Sequence, residues 1–261
     1  MPPFELENRI VWRRQGDLKA EDCFYPSFYK DIAKRETFFQ ENFRVEFVDA
    51  SPEKLTNVFM PLYEKEIMSR DDFTLDKQKI AADLIEKINK DSFYKFMFIF
   101  HKDELISAAL FSLKKNGMYV GYRAFKKDFD KNLSHKGTIS YWGEKLILDY
   151  GRKIGVKYFS YGKDSHPYTG RGRIGLPLYK MKTGMKAMAP FPETPYKLLA
   201  IDEKTLMEKA EPTLFFSEKD SLGFYRKCHL YYPANTINPS YLTELEKVAT
   251  WSGLIFNTVS Y

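Results

Sequence analysis

The chain has 261 residues, 44% of them hydrophobic, which is enough apolar side chain for a sizeable core and too much for a disordered protein. No apolar run approaches the length of a membrane span, the N-terminus "MPPFELENRIVWRR" lacks a charged-then-apolar signal pattern, and Cys23 and Cys228 are too far apart for metal-type spacing. A reduced, cytoplasmic protein with no membrane span is the expectation. The net charge of +6 is uneven: Gly121 to Lys186 holds fifteen Lys and Arg against five Asp and Glu, and nine of the fourteen glycines lie between Gly137 and Gly184. Cationic side chains and pliable backbone in one segment point to an anionic ligand, most simply phosphates, or else to a solvated basic face.

In chain order, residues up to about Phe39 read as a mixed lead-in, with "PSFYKDIAKRETFF" helical. "FRVEFVD" (Phe43 to Asp49) alternates as a strand does. A helix follows, with Ser51 as its N-cap, Pro52 in its first turn and Pro61 positioned to kink or split it. A second helix is expected from about Leu75 to Asn89, its apolar stripe made by Ile80, Leu84, Ile85 and Ile88. "YKFMFIF", "ELISAALFSL" and "GMYVGYRAF" are three strands separated by charged or glycine turns, an antiparallel meander. After the polar loop "KDFDKNLSHKG", an amphipathic helix starts at Thr138, with Ile139, Trp142, Leu146, Ile147, Tyr150 and Ile154 on one face.

"KYFSYG" is a short strand, and "KDSHPYTGRGRI" reads as a polar loop leading into "GLPLYKMKTGMK". That last stretch predicts a short helix with Pro177 in its first turn, Gly184 just past its end, and a strand beyond. "YKLLAID" is another strand, and the tail holds short strands and a helix near Leu242 to Trp251. The order predicts a mixed α/β fold whose central sheet turns from antiparallel to partly parallel at "KYFSYG". Ligands favour the strand ends where such a sheet opens.

The order of elements, together with "NLSHKGTISYWGEKLILDYGRKIGVKYFSYGKD" and "LYKMKTGMK", resembles the GNAT superfamily of N-acyltransferases, and its Fem-like branch in particular. The resemblance runs roughly from Phe43 to Asp202. It implies a GNAT-like α/β domain at 43–202, a mixed central sheet flanked by helices, with an N-terminal extension (1–42) packed on the core and a C-terminal strand and helix extension (203–261). It also implies transfer of an acyl group from acyl-coenzyme A, as a co-substrate and not a permanently bound cofactor, to a primary amine on a small molecule or peptide. Some Fem-like members take an amino acid from aminoacyl-tRNA instead, so tRNA is the alternative partner. The donor's phosphates are then expected at the loop and helix start formed by Lys131, His135, Lys136, Gly137 and Thr138, with Lys180 as a further phosphate contact or a solvated lysine.

In this pattern Tyr179 occupies the place of the tyrosine that protonates the leaving group. A phenol held by a short helix suits that step, although packing against Leu178 and Met181 would account for it too. Asp164 and His166 are candidates to relay a proton from the incoming ammonium, unless Asp164 is simply a turn former. Arg171 and Arg173 are candidates to grip a carboxylate or phosphate. Four histidines and two distant cysteines offer no metal cluster. A non-catalytic, basic nucleic-acid-binding module is the third reading; "YVGYRAFKKDF" supplies some interleaved aromatics for it.

Overall fold

The computed structural model describes residues 3–69, 76–126, 129, 138–190 and 196–261. The chain divides into two compact units, one of residues 1–14, 23–25 and 160–261, the other of 15–22 and 26–159. This division falls between Phe159 and Ser160, inside the segment 43–202 expected as one domain, and it groups the N-terminal residues with the C-terminal part.

In the unit of residues 26–159, strands β3 (Phe43–Asp49), β4 (Tyr94–His101), β5 (Glu104–Lys114) and β6 (Gly117–Phe125) are antiparallel neighbours in that order. The β5–β6 turn is Lys115-Asn116 with both residues at positive φ, a tight turn whose twist suits the strands it joins. The expected meander is therefore present. Three short helices, α1 (Ala20–Cys23), α2 (Pro26–Ala33) and α3 (Glu36–Asn42), precede β3 in the chain. Alternation along β4 sorts its side chains. Phe96 and Phe98 join a core with Leu55, Phe59, Leu84 and Leu110, which come from β5, the helix at 52–68 (α4) and helix α5 (Lys77–Lys90). Met97 and Ile99 lie toward helix α6 (Thr138–Lys153), where a Cβ added to Gly143 would come within 3.5 and 3.6 Å of them.

Ser51 caps α4 by accepting from the Lys54 N–H, as its position predicts. Pro61 does not split this helix. Wide π-helical turns at Leu55–Phe59 and Glu64–Met68 flank it and accommodate the missing donor. On α6, Ile139, Trp142 and Ile147 are buried, and Trp142 stacks on Phe39 at 4.9 Å. Ile154 lies beyond the helix end and is exposed, so it leaves the predicted face.

In the other unit, the N-terminal residues form two strands that the lead-in does not announce. Strand β1 (Phe4–Glu7) pairs antiparallel with β10 (Leu198–Ile201). Strand β2 (Arg9–Gln15) lies between β7 (Tyr158–Ser165) and β9 (Lys186–Met188). Ile10, Val11 and Trp12 are all buried; a strand covered on both faces shows no alternation, which is why its sequence carries no period-two signal. A second, mixed sheet has the order β13-β12-β11-β8. In it β13 (Ile255–Ser260) runs parallel to β12 (Tyr225–Tyr232), while β11 (Thr213–Lys219) pairs antiparallel with both β12 and β8 (Tyr168–Thr169). Helices α7 (Arg171–Lys182), α8 (Glu203–Met207) and α9 (Pro239–Trp251) complete the unit.

Candidate active site

Helix α7 begins at Arg171, directly after Gly170 at φ +97°, and Pro177 is its seventh residue. The sequence places this helix start later and reads Arg171 and Arg173 as loop. Two glycines in the first turns, Gly172 and Gly175, are poor helix formers, and the helix stands because Ile174, Leu178 and Met181 bury one stripe. Its end matches expectation. Met185 N–H returns to Lys180 O at 3.0 Å and Gly184 N–H to Met181 O at 2.9 Å, with Gly184 at φ +77°. A Cβ on Gly184 would lie 2.3 Å from the Cys23 carbonyl oxygen, so space as well as conformation requires glycine there. Arg14 donates to the Thr183 carbonyl at 2.7 Å, placing a cation at the negative end of the helix.

This helix presents Tyr179 half-buried and Lys180 buried. Lys180 is not the solvated lysine the sequence allows. Its Nζ donates to Asp164 Oδ2 at 2.7 Å and to the Tyr161 carbonyl at 3.2 Å, and lies 5.7 Å from the centre of the Trp12 ring. Asp164 also accepts the Tyr168 hydroxyl on Oδ2 at 2.7 Å, and the Tyr168 oxygen in turn accepts the Trp12 indole N–H at 2.9 Å. Burial first, and then the neighbouring Asp164 charge, raise the Tyr168 phenol well above its usual range, so it remains protonated. Asp164 is thus no mere turn former. Both donors reach the same oxygen; among the described residues, Oδ1 accepts no hydrogen bond, and the side chain is 14% exposed.

His166 does not fit the proton-relay role expected of it. Its Nδ1 bonds the Glu7 carbonyl at 2.7 Å and its Nε2 accepts the Phe216 N–H at 2.9 Å, which fixes the neutral ring protonated on Nδ1. Burial lowers its pKa to about 4, with both nitrogens committed to backbone. Beside it, Glu7 is buried and takes bonds from Lys219 and from the Tyr225 hydroxyl, the latter at 2.6 Å. Burial raises the Glu7 carboxyl, but those two bonds, a backbone hydrogen bond and the Lys219 charge together hold the group below its ordinary value.

Thr138 opens α6, while Lys131, His135, Lys136 and Gly137 lie outside the described residues. Arg171 and Arg173 stand in the first turn of α7. An open cleft of about 610 Å³ is lined by Gln15, Gly16, Asp17, Arg152, Gly155, Val156 and Lys157, and none of the expected site residues lines it. Among the described residues no group of three His, Cys, Asp or Glu is placed to hold a metal ion, and no helix is long and apolar enough to cross a membrane. The structure adds three residues that sequence reasoning missed, Trp12, Tyr161 and Tyr168. Tyr168 carried a usable signal, since it lies four residues after Asp164 in the polar stretch "KDSHPYTG". Trp12 carried none, being 156 positions from its partner.

The mixed α/β arrangement of sheets flanked by helices agrees with the expected GNAT-like fold, and a solved structure of similar fold supports it. The crystal structure of FemX matches 68% of this chain and 59% of its own length, at 14% identity and a TM-score of 0.51, a likeness that shows the fold alone. This chain therefore spans less than two thirds of FemX. L-PGS from Bacillus licheniformis matches 61% of this chain and 46% of its own (8% identity, TM-score 0.41). An aminoglycoside acetyltransferase from an uncultured soil metagenomic sample matches 60% and 93% (12% identity, TM-score 0.34). No family model and no curated protein matches the chain.

Proposed function

We propose that the protein is an acyl-transfer enzyme that joins an acyl or aminoacyl group to a primary amine. The observation that carries this reading is the Asp164 carboxylate. One of its oxygens is saturated by Lys180 and Tyr168, and the other accepts no hydrogen bond among the described residues. In the reaction, Asp164 Oδ1 takes a proton from the acceptor's ammonium group, and the freed amine lone pair attacks the donor's carbonyl carbon. The C–N bond forms and the bond to the leaving group breaks. As the bond to the leaving group breaks, the nitrogen sheds its second proton to water; Tyr179 gives its hydroxyl proton to the departing sulfur or oxygen and recovers one from solvent, while Asp164 releases its own. Lys180 stays bonded to Asp164 Oδ2 throughout and holds the carboxylate in place.

Acyl-coenzyme A is the favoured donor, and the basic segment suits its phosphates. Transfer from aminoacyl-tRNA is the second reading, implied by the sequence resemblance to the Fem-like branch and suited by the same cationic segment. The test offers purified protein acetyl-coenzyme A or alanyl-tRNA together with ethylamine, and follows thiol release or tRNA deacylation. Amide formation from one donor, abolished by Asp164→Asn, is expected. Binding of tRNA with no turnover of either donor would favour the nucleic-acid-binding alternative.

A further inference from the structure

Trp12 and Tyr168 have no place in the proton transfers just described, yet their bonds decide how Asp164 is held. The Trp12 N–H occupies acceptor capacity on the Tyr168 oxygen, so the hydroxyl proton of Tyr168 is left to point at Asp164 Oδ2. Both rings are buried, and both pack edge-on against Phe216, at 5.6 and 6.4 Å between centroids. This leaves the hydroxyl little freedom to turn elsewhere. Lys180 arrives at the same oxygen from α7. Two donors from different elements therefore clamp Oδ2 and set the plane of the carboxylate.

We propose that Tyr168, braced by Trp12, is a positioning residue that holds Asp164 with Oδ1 turned to the acceptor and so equips the site for amines that arrive as ammonium ions. The inference rests on Asp164 acting as the base. An amine that is already neutral needs no deprotonation before it attacks, and its remaining proton, made acidic once the C–N bond has formed, passes to water, so it gains little from a well-aimed carboxylate. Ethylamine, an ammonium ion at neutral pH, and hydroxylamine, largely unprotonated there, separate the two cases.

The experiment uses the full chain at pH 7 with acetyl-coenzyme A as donor probe, or alanyl-tRNA if that is the donor turned over, and each amine in turn. Asp164→Asn should abolish transfer to ethylamine and largely spare transfer to hydroxylamine. Tyr168→Phe should lower kcat for ethylamine about tenfold, leave hydroxylamine within about twofold, and leave the KM for the donor unchanged. Trp12→Phe, which keeps a ring but loses the N–H, should show the same selectivity with a smaller loss, and it serves also if Tyr168→Phe fails to fold. In the Asp164→Asn background, Tyr168→Phe should add nothing. Equal losses for both amines in the Tyr168 and Trp12 variants, or no loss in either, would overturn the positioning role while leaving the base role of Asp164 intact. Full ethylamine turnover in Asp164→Asn would remove the base role itself, and the positioning role with it.

Discussion

Asp164 lies on β7 and His166 one residue past its end, and the two differ in what their neighbours leave open. Asp164 has one oxygen bonded twice and the other without a donor among the described residues. His166 has both ring nitrogens bonded to backbone from two other segments, β1 and β11. Each is a polar group in a largely buried setting, where an unmet hydrogen bond is expensive. For His166 the structure meets every need, and the ring becomes a cross-link between strands. For Asp164 it meets those of one oxygen, and among the described residues nothing donates to the other. In the proposed reaction, residual bonding capacity and not residue type alone separates the two groups.

The largest effect should come from Asp164→Asn. If the asymmetry at Asp164 is catalytic, transfer to an ammonium acceptor falls by about 10²–10⁴-fold, the usual worth of a general base. The measurement is initial rate with the donor in excess, and an undiminished rate would erase the contrast with His166. Tyr179→Phe should follow, with turnover down by about 10²-fold or more and donor affinity changed less, because the proton is needed only as the leaving group departs. Single-turnover rates compared with donor titration check this.

His166→Phe should behave in the opposite way. Two buried backbone groups, the Glu7 carbonyl and the Phe216 N–H, lose their partner, at roughly 1–3 kcal/mol each, while turnover per folded molecule stays near normal. A denaturation series with active-site normalisation separates the two. A selective loss of turnover without loss of stability would restore His166 to the mechanism.

The acid response sharpens the same contrast. The His166 pKa is about 4 in the folded protein, against the ordinary value of 6.5 in the unfolded chain. Between those values the unfolded state binds the extra proton. The stability His166 contributes is thus complete above pH 6.5 and is lost as pH falls toward 4, in all by roughly 3 kcal/mol. The imidazole proton signals should keep the neutral Nδ1–H form down to about pH 5; titration near pH 6.5 would contradict it. The smallest effect belongs to Gly184→Ala. A methyl group forced against the Cys23 carbonyl at positive φ should cost about 1–3 kcal/mol and lower turnover only in proportion to unfolding. A thermal melt beside wild type tests it.

Most of the elements were legible from the chain. The three meander strands, the α6 stripe, the Ser51 cap and the Gly184 helix end each depend on side-chain periodicity or on one residue's backbone preference, and those are local properties. Local rules also brought Tyr179 and Lys180 onto one helix and drew notice to Asp164. They misplaced the start of that helix because Gly172 and Gly175 argue against helix locally, while burial of Ile174, Leu178 and Met181 argues for it only once the fold exists.

Strands β1 and β2 escaped notice for a related reason: their partners, β10 and β9, lie some 170 to 200 positions away. The amino-acid sequence by itself determined which residues are polar, where helices can end and which stretches must be buried. Only the tertiary structure decided that Lys180 turns inward to Asp164, that Trp12 braces Tyr168, and that His166 is spent on backbone while Asp164 is not. Hydrogen bonds of that kind join groups distant along the chain, and which donor reaches which acceptor is set by the packing that brings them within 3 Å.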